Sequence, residues 1–515
     1  MIRNYIYCLV TILFFTHFNS NAQKIHFSKQ YKQQLDSIAK QQAWITEQAQ
    51  REKEEQYKLF LSDRKINKED IISEGNLYQQ LKLKEKASKD SINQLKYDSI
   101  LSIVDLSDSS ILNFNNGTFT EIPPQLLALT KLDSLYLSGN QITRVNRQIA
   151  KMVLLKKLVI SRNNLNQKSL TFSKNTSLTS LDLSHNHFSK LPKKLYKLKK
   201  LKSLKLSYNN LGKNGKKVRF RKLKSIEYLD LSNNELNTIP KGLHKLPYLN
   251  TLILSNNSIT SLKGIENLHQ LKELELNYNN IFPDPRYLVG LTNLEKLTFH
   301  KCGLIYLPPE IGQLKMLKKL VLPENNLTSL PPEIGQLKQL ENLMVYKNQL
   351  TKIPDEVYNL TNLEWLDIYY NQIDHLDEKI ANLHKLNILY LSHNLFKTLP
   401  ESLKGMVSLN ELYAHNNKLR AIPDISKLSN LRVLHLQNNN LTEFPKPVLS
   451  LSQLEELDLS HNLITTFSDK IANLSKLRYV FLDYNQTDKQ THEYEQLKMA
   501  LKVLSDNGVL IRFDY

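Results

Sequence analysis

The amino-acid sequence predicts an α/β fold, a right-handed solenoid (horseshoe) in which short parallel strands line the concave side. One observation is a nine-residue string, LPPEIGQLK, that begins at residue 307 and again at residue 330. A second is an Asn that recurs once per unit along most of the chain. A third is an alternation of Leu with variable residues just before each Asn, as one-sided burial of a strand requires.

The repeated Asn defines how far the solenoid extends. Sixteen positions share this column, and twelve of their fifteen spacings are 23 residues, two are 22 and one is 25. The occupants are Asn140, Asn163, Asn186, Asn209, Asn234, Asn257, Asn279, Cys302, Asn325, Asn348, Asn371, Asn394, Asn417, Asn439, Asn462 and Asn485. Units of this length that hold one register through some 350 residues are typical of stacked repeats.

Each fixed letter of the unit has a physical reason. Leu320 and Leu322 recur as Leu343 and Val345, so both should point inward while their neighbours face outward. The Asn side chain offers donors and an acceptor to backbone groups that the turn after the strand leaves unpaired. Cys302 takes this place once, and we interpret it as a structural thiol and not as a nucleophile.

The second half of each unit should form a short helical or turn segment on the convex side. Its inward residues include Leu330, Ile334 and Leu337. A single unit cannot bury its own apolar face, whereas a stack of units can. Burial at about 1.5–3 kcal/mol per aliphatic side chain can then offset the entropy of ordering the chain.

The unit L-x-x-L-x-L-x-x-N-x-L, closed by L-P-x-x-I-x-x-L-x-x-L, resembles the leucine-rich repeat superfamily in its short, typical form. The likeness extends to scaffolds that bind Ras-type GTPases and to secreted bacterial repeat proteins. It covers 132–487 closely and 101–131 loosely, where Leu101, Val104, Leu106 and Ile111 suggest a degenerate first repeat. The resemblance implies about sixteen or seventeen repeats over 101–487 and a concave face that binds protein.

The first 22 residues have the pattern of a secretory signal peptide. Arg3 precedes an apolar run from Tyr5 to Phe18, and Ser20 and Ala22 occupy the small-residue positions before the predicted cleavage point. An uncleaved anchor is the alternative, although the run is short for a membrane span. The string NAQ resembles envelope proteins of Bacteroidota-type bacteria, which implies secretion or a place in the envelope (periplasm or surface) of a Gram-negative cell.

Residues 23–100 form a polar N-terminal extension. Spacings of three and four between Phe27, Tyr31, Leu35 and Ile38 predict an amphipathic helix, and 69–86 a second helical stretch. The extension could dock on the first repeat, stand free or dimerise.

Residues 488–515 should seal the other end of the solenoid. Tyr494, Leu497, Leu501 and Leu504 follow helical spacing between an N-cap at Thr491 and a stop at Gly508. Val509, Ile511 and Phe513 could then add a closing strand. Only Cys302 would remain in the exported chain, so no intramolecular disulfide is expected.

Catalytic signatures are not found in this sequence. The phosphate-loop, dinucleotide, zinc-protease and nucleophile-elbow motifs do not occur, and GKNGKK at 212–217 lacks the spacing of a phosphate loop. His185, His393 and His461 precede column Asn residues but do not fall in consecutive repeats. We therefore predict a non-enzymatic protein without cofactor or metal.

Outward positions of the repeats centred on Asn348 to Asn439 predict a ligand site. They form what we call the aromatic patch, consisting of Met344, Tyr346, Trp365, Tyr369, Ile388, Tyr390, Tyr413, His415, Val433 and His435. Adjacent strands lie about 4.8 Å apart, so these side chains should be contiguous. Trp and Tyr are enriched at binding hot spots. The alternative is that the rings pack laterally and only stiffen the sheet.

Positive charge is concentrated in residues 190–224, the basic segment. It holds thirteen Lys, two Arg and no acid, whereas the whole chain has a net charge of +19. The candidate polyanion-binding residues are Lys193, Lys194, Lys197, Lys202, Lys205, Lys216, Lys217, Arg219 and Arg221. Such a field attracts anionic glycans, lipopolysaccharide or lipid headgroups. A solvated basic surface without a ligand is the alternative.

The sequence thus predicts an exported binding protein whose concave face recognises a protein partner. One alternative is a binder of anionic polysaccharide or another envelope polymer through the basic segment. Another is a cytoplasmic scaffold of a GTPase pathway, which requires that residues 1–22 are not a leader. Nucleic acid is not expected as a partner of an exported protein.

Overall fold

A computed structural model describes residues 110–514, apart from residues 118, 125, 173–176, 216, 221 and 282–286. The predicted signal peptide, the N-terminal extension and residues 101–109 of the degenerate first repeat lie outside the described residues.

Eighteen strands of three residues each form one sheet in the described part of the chain. In chain order, β1 to β18 are Ile111–Asn113, Ser134–Tyr136, Lys157–Val159, Ser180–Asp182, Ser203–Lys205, Tyr228–Asp230, Thr251–Ile253, Glu273–Glu275, Lys296–Thr298, Lys319–Val321, Asn342–Met344, Trp365–Asp367, Ile388–Tyr390, Glu411–Tyr413, Val433–His435, Glu456–Asp458, Tyr479–Phe481 and Leu510–Arg512.

Every strand pairs in parallel with the next one along the chain, and the central Leu residues stay in register. Leu320 of β10 pairs with Leu343 of β11, which pairs with Leu366 of β12. A shift by one residue would turn these leucines outward, so burial fixes the register. The predicted α/β solenoid with a parallel concave sheet is confirmed.

Short 3-10 helices occupy the return half of most units, as predicted. They span Leu126–Ala128, Arg147–Lys151, Lys193–Lys197, Lys213–Gly215, Leu243–Lys245, Pro309–Gln313, Pro332–Gln336, Asp355–Asn359, Glu378–Asn382, Glu401–Gly405, Lys446–Ser450 and Asp469–Asn473. Pro332 starts its helix because a first-turn residue needs no N–H partner. Gly335 allows close packing, since a Cβ there would lie 2.6 Å from the backbone oxygen of Glu356.

The core is a continuous set of inward aliphatic side chains between the sheet and the return segments. Leu320, Leu322, Ile334 and Leu337 are completely buried, and Leu330 is 4% exposed. Each repeat places its aliphatic residues against those of both neighbours, which is why the stack is stable when one unit is not.

The Asn column forms the predicted ladder of hydrogen bonds. Asn348 Nδ2 donates to the carbonyl of Leu322 in the preceding repeat at 3.0 Å and to that of Val345 at 2.9 Å. Its Oδ1 accepts from the N–H of Leu327, again in the preceding repeat, at 3.1 Å. One buried side chain therefore satisfies three backbone groups across two repeats.

Cys302 replaces Asn with a different hydrogen-bond pattern. Its Sγ lies 3.1 Å from the carbonyl oxygen of Leu276, where it can donate a weak hydrogen bond as the amide would. The thiol has no counterpart of the amide oxygen, and the N–H of Ile281 donates instead to the Cys302 carbonyl at 3.1 Å. Burial raises the pKa of this thiol to about 11, so it is held in the unreactive form.

The residue just before each column position adopts a left-handed backbone. The φ of Lys347 is 51° and that of Tyr370 is 55°, and the same conformation recurs from Arg162 to Tyr484. Asn and His tolerate this region better than other residues with a Cβ, whereas Lys and Tyr enter it at a cost. The turn is required because the Lys347 N–H donates to the following repeat while the Gln349 N–H donates to the preceding one.

A helix and a strand end the described chain. Helix α1, His492–Asp506, begins at Thr491, whose Oγ1 accepts from the N–H of Tyr494 at 3.2 Å. Gly508 ends the turn with φ +86°, and β18 pairs with β17. Tyr494, Leu497, Leu501 and Leu504 are buried, so α1 covers the last repeat. Within the described residues, no helix has the length and apolar character needed to cross a bilayer.

Candidate functional site

Three columns of outward side chains cover the concave face. In each repeat they are the first and third residues of the strand and the residue two positions later, because alternate residues of an extended chain share one side. In the repeat of β12 these are Trp365, Asp367 and Tyr369, while Leu366 and Ile368 point into the core and are buried.

The structure brings the aromatic patch together across five consecutive strands, β11 to β15. Parallel pairing places Met344 beside Asp367, Asp367 beside Tyr390, and Tyr390 beside Tyr413. All ten residues of the patch are half-buried. The sequence prediction that they form one connected surface is consistent with this register.

Rings within the patch stack along the sheet. The centroids of Tyr390 and Tyr413 are 4.3 Å apart with planes 4° from parallel. Trp365 stacks on Tyr390 at 6.1 Å, and His435 meets Tyr413 edge to face at 5.1 Å. Lateral packing is therefore present, and it directs ring edges rather than ring faces toward the solvent side of the sheet.

Two further members of this ring network lie next to the predicted patch. Tyr370 and His393 occupy the left-handed column, and their rings lie 5.9 and 5.1 Å from that of Tyr369. His393 also lies 5.3 Å from His415. The backbone is left-handed at both positions, and Tyr370 remains 54% exposed whereas His393 is half-buried.

Two polar groups beneath the patch are poorly solvated. Asp367 is 9% exposed, and burial raises the pKa of its carboxyl to about 7, although the N–H of Tyr369 donates to its Oδ1 at 3.1 Å. The indole N–H of Trp365 is buried and has no hydrogen-bond partner among the described residues. A buried donor of this kind costs about 1–3 kcal/mol while it stays unpaired.

Burial keeps two histidines of this surface, His393 and His415, in the neutral form. Burial, together with the neighbouring His393 and His435, lowers the pKa of His415 to about 3. Burial alone lowers the pKa of His393. Burial also raises the pKa of Tyr413, whose hydroxyl donates to Glu411 at 2.9 Å. The imidazoles of His393 and His415 are thus uncharged near neutral pH.

The basic segment is divided between two surfaces. Lys193, Lys194 and Lys197 belong to the 3-10 helix Lys193–Lys197 on the convex side. Lys202 pairs with Glu227 at 2.8 Å. Lys205, on the concave face, lies between Asp182 and Asp230 in the strand register. Acids from neighbouring repeats therefore offset the concave charges, whereas Lys193, Lys194, Lys217 and Arg219 are exposed outside the strands. Lys216 and Arg221 lie outside the described residues.

Metal-binding groups do not converge in the described part of the chain. No set of three or more His, Cys, Asp or Glu side chains there has an arrangement that could hold an ion. His185 and Tyr208 instead stack at 4.0 Å, and His461 and Tyr484 at 4.2 Å.

The fold and the Asn ladder define a solenoid of stacked repeats, and comparisons with known proteins identify the repeat class. A leucine rich repeat model matches residues 216–259, 370–419 and 429–486, and a leucine-rich repeat region model matches 297–369. The chain belongs to the leucine-rich repeat superfamily. The comparison with curated proteins found no match.

Solved structures agree with this assignment. A leucine-rich repeat protein of Leptospira interrogans is 29% identical with a TM-score of 0.66, over 83% of this chain and 100% of that one. A TDR receptor is 25% identical with a TM-score of 0.61, over 80% and 72% of the two chains. The Toll–Spatzle complex of Drosophila is 22% identical with a TM-score of 0.61, over 76% and 56%, and shows the likeness of fold alone. Leucine-rich repeats commonly mediate protein binding, and proteins of this superfamily are typically non-enzymatic scaffolds.

Proposed function

We propose that this chain is an exported, non-enzymatic binding protein that holds a protein partner against the aromatic patch. The observation that carries the proposal is the contiguity of the patch, which crosses five neighbouring strands without interruption. Large apolar and aromatic surfaces of this kind typically mark interaction sites. Solenoids of this superfamily also present their variable residues on the concave sheet.

The chemistry of the patch favours a protein over a sugar as its ligand. Sugars bind to aromatic ring faces, but the faces of Tyr390 and Tyr413 cover each other at 4.3 Å. The ring edges and polar atoms that remain suit the mixed apolar and amide surface of a polypeptide. Toll of Drosophila, which has this fold, is seen in complex with Spatzle.

The proposal is tested by crosslinking in intact cells, followed by purification of the chain with its partner. Trp365→Ala combined with Tyr390→Ala should abolish capture of the partner that the wild-type chain retains. Tyr228→Ala is the matched control, because Tyr228 lies on the same concave face in β6, far along the sheet from the patch. Equal capture by the double variant, with an unchanged circular dichroism spectrum, would remove the patch from consideration.

Export is supported by the charge, apolar run and small residues of Met1–Ala22. Removal of the leader would leave residue 23 at the N-terminus. Intact mass spectrometry of protein from fractionated cells tests this directly. A full-length mass in the cytoplasmic fraction would contradict export and favour the alternative of a cytoplasmic scaffold.

A second candidate function is polyanion binding by the convex part of the basic segment. Exposed Lys193, Lys194 and Lys217 support it, because acids flank only the concave lysines. Heparin retention should be lost when Lys193, Lys194, Lys216 and Lys217 are changed to Glu. The control changes four exposed lysines outside the segment, Lys315, Lys338, Lys385 and Lys404. Equal loss in both variants would point to net charge and not to a site.

A further inference from the structure

The concave face is divided by charge at the start of the aromatic patch. Across β2 to β10 the three outward columns hold four Lys and four acids, which are Lys157, Lys205, Lys296, Lys319, Asp182, Asp230, Glu273 and Glu275. Across β11 to β17 they hold five acids and no Lys or Arg, and these acids are Asp367, Glu411, Glu456, Asp458 and Asp483. A chain with a net charge of +19 thus presents an anionic half on its concave face.

Two of the four acids in the first half, Glu273 and Glu275, lie within ion-pair distance of a lysine of the sheet. Lys296 lies 2.5 Å from the carboxylate of Glu275 and 3.9 Å from that of Glu273. The acids of β8 are therefore paired with a lysine of the neighbouring strand β9. Lys205 of β5 likewise lies between Asp182 and Asp230 in the strand register. Little net field remains for a ligand in this half, since opposite charges at contact cancel at longer range.

Acids in the second half differ from one another in their contacts. Asp458 Oδ1 accepts from both the N–H and the hydroxyl of Ser460, and Asp483 lies 3.9 Å from Arg512. Glu411 accepts from the Tyr413 hydroxyl, and Glu456 lies 3.4 Å from His435. Among the described residues, neither Glu411 nor Glu456 has a Lys or Arg within ion-pair distance. Both are half-exposed beside the aromatic patch, so their charges are available to a ligand.

We propose that the partner presents an extended stretch of its own chain that carries Lys or Arg. These basic side chains meet Glu411 and Glu456, and the apolar side chains of the same stretch lie on the aromatic patch. This inference rests on the proposed function and names the chemistry of the partner. Complementary charge is the general basis for partner choice and fast association at such surfaces. The anionic half would in turn repel acidic segments of other proteins.

The register of the sheet sets a spacing for the basic residues. Glu411 and Glu456 begin strands β14 and β16, which lie about 10 Å apart at the usual distance between neighbouring strands. A segment in the extended polyproline II conformation has three residues per turn and rises about 3.1 Å per residue, so side chains three residues apart share one face and lie about 9 Å apart. The segment should therefore carry basic side chains three residues apart when it crosses the strands.

The experiment uses the full chain and a labelled synthetic peptide in which two Lys three residues apart are interspersed with Leu, Tyr and Ser. Fluorescence anisotropy should show saturable binding that weakens with salt, and no binding of the same peptide with Glu in place of Lys. Glu411→Gln with Glu456→Gln should weaken binding about tenfold, since two partly exposed ion pairs with the peptide would be lost. Glu273→Gln with Glu275→Gln in β8 is the matched control and should bind as the wild type does.

Three outcomes would overturn this inference. The Lys and Glu peptides could bind equally, or the Glu411/Glu456 variant could bind as tightly as the wild type. Self-association of the wild-type chain in sedimentation, lost in the Glu411/Glu456 variant, would also overturn it, because the occupant would then be residues 190–224 of a second copy and not a separate partner. Loss of partner capture on changing Trp365 and Tyr390, without any preference for the Lys peptide, would leave the proposed function intact and refute its basic partner.

Discussion

Removal of one rung of the Asn ladder gives the most direct test of what holds neighbouring repeats together. The substitution is Asn348→Ala, in the best-defined part of the repeat pattern. Asn348 is 7% exposed and makes close hydrogen bonds to Leu322, Val345 and Leu327 at 2.9–3.1 Å. Alanine leaves all three backbone groups without their side-chain partner in a site that water reaches poorly.

The expected magnitude follows from these three bonds. At a net contribution of about 1 kcal/mol each, Asn348→Ala should lower the free energy of unfolding by about 3 kcal/mol. Asn348→Cys reproduces the residue found at position 302 and should cost less stability. The new thiol can donate to a backbone carbonyl, as Cys302 does, and the Leu327 N–H can donate to the main-chain oxygen of residue 348, as the Ile281 N–H does to that of Cys302. The order of stability should be wild type, then Asn348→Cys, then Asn348→Ala.

Urea unfolding followed by circular dichroism measures the loss, and hydrogen exchange at the Leu327 amide locates it. Solenoids can unfold in parts, so both readouts are needed. The exposed neighbour Gln349→Ala is the control and should change little. A loss below 1 kcal/mol for Asn348→Ala, with the Leu327 amide still protected, would refute the ladder as the main polar link between repeats.

Three other predictions follow from packing and titration. Gly335→Ala should destabilise the chain by about 1–3 kcal/mol in a thermal melt, because its Cβ would lie 2.6 Å from Glu356, whereas Gly405→Ala, with its nearest contact at 3.8 Å, should not. Cys302 should not react with a thiol reagent until urea unfolds the repeats, and rapid labelling of the native chain would contradict its burial. The Asp367 carboxyl has a pKa of about 7 when folded against 3.8 ordinarily, so the folded chain binds more protons and the stability of the wild type should fall as pH rises from about 4 to 7. Asp367→Asn should remove that fall, and parallel melting curves for the two proteins across this range would be the contrary result.

Fold and register could be predicted because every repeat requires the same inward burial of its strand leucines. Leu320, Leu343 and Leu366 each face inward for the same reason, so one misplaced residue would conflict with every neighbouring unit. The role of Asn348 was also predictable, since turn amides need partners and Asn carries both donor and acceptor. Cap residues such as Thr491 and Gly508 were local signals of helix ends.

The candidate site was predictable in part. Alternation placed Trp365 and Tyr390 on one face, and the structure puts their rings 6.1 Å apart. Periodicity did not reveal that Tyr370 and His393 join them, because the left-handed turn that directs their side chains is a property of the backbone. The same alternation sets the strand positions of Glu411 and Glu456, whereas the contacts that leave them without a Lys or Arg partner among the described residues depend on the fold.

By itself, the sequence determined the solenoid, its register and the residues of the concave face. Periodic burial of aliphatic side chains depends only on which residue types recur at each position of the repeat. Tertiary structure alone decided which charges are neutralised, which ring faces are covered and how far Asp367 is removed from water. Those properties depend on side chains 23 residues apart meeting at contact distance, and the field or solvation at a point is the sum over all such neighbours.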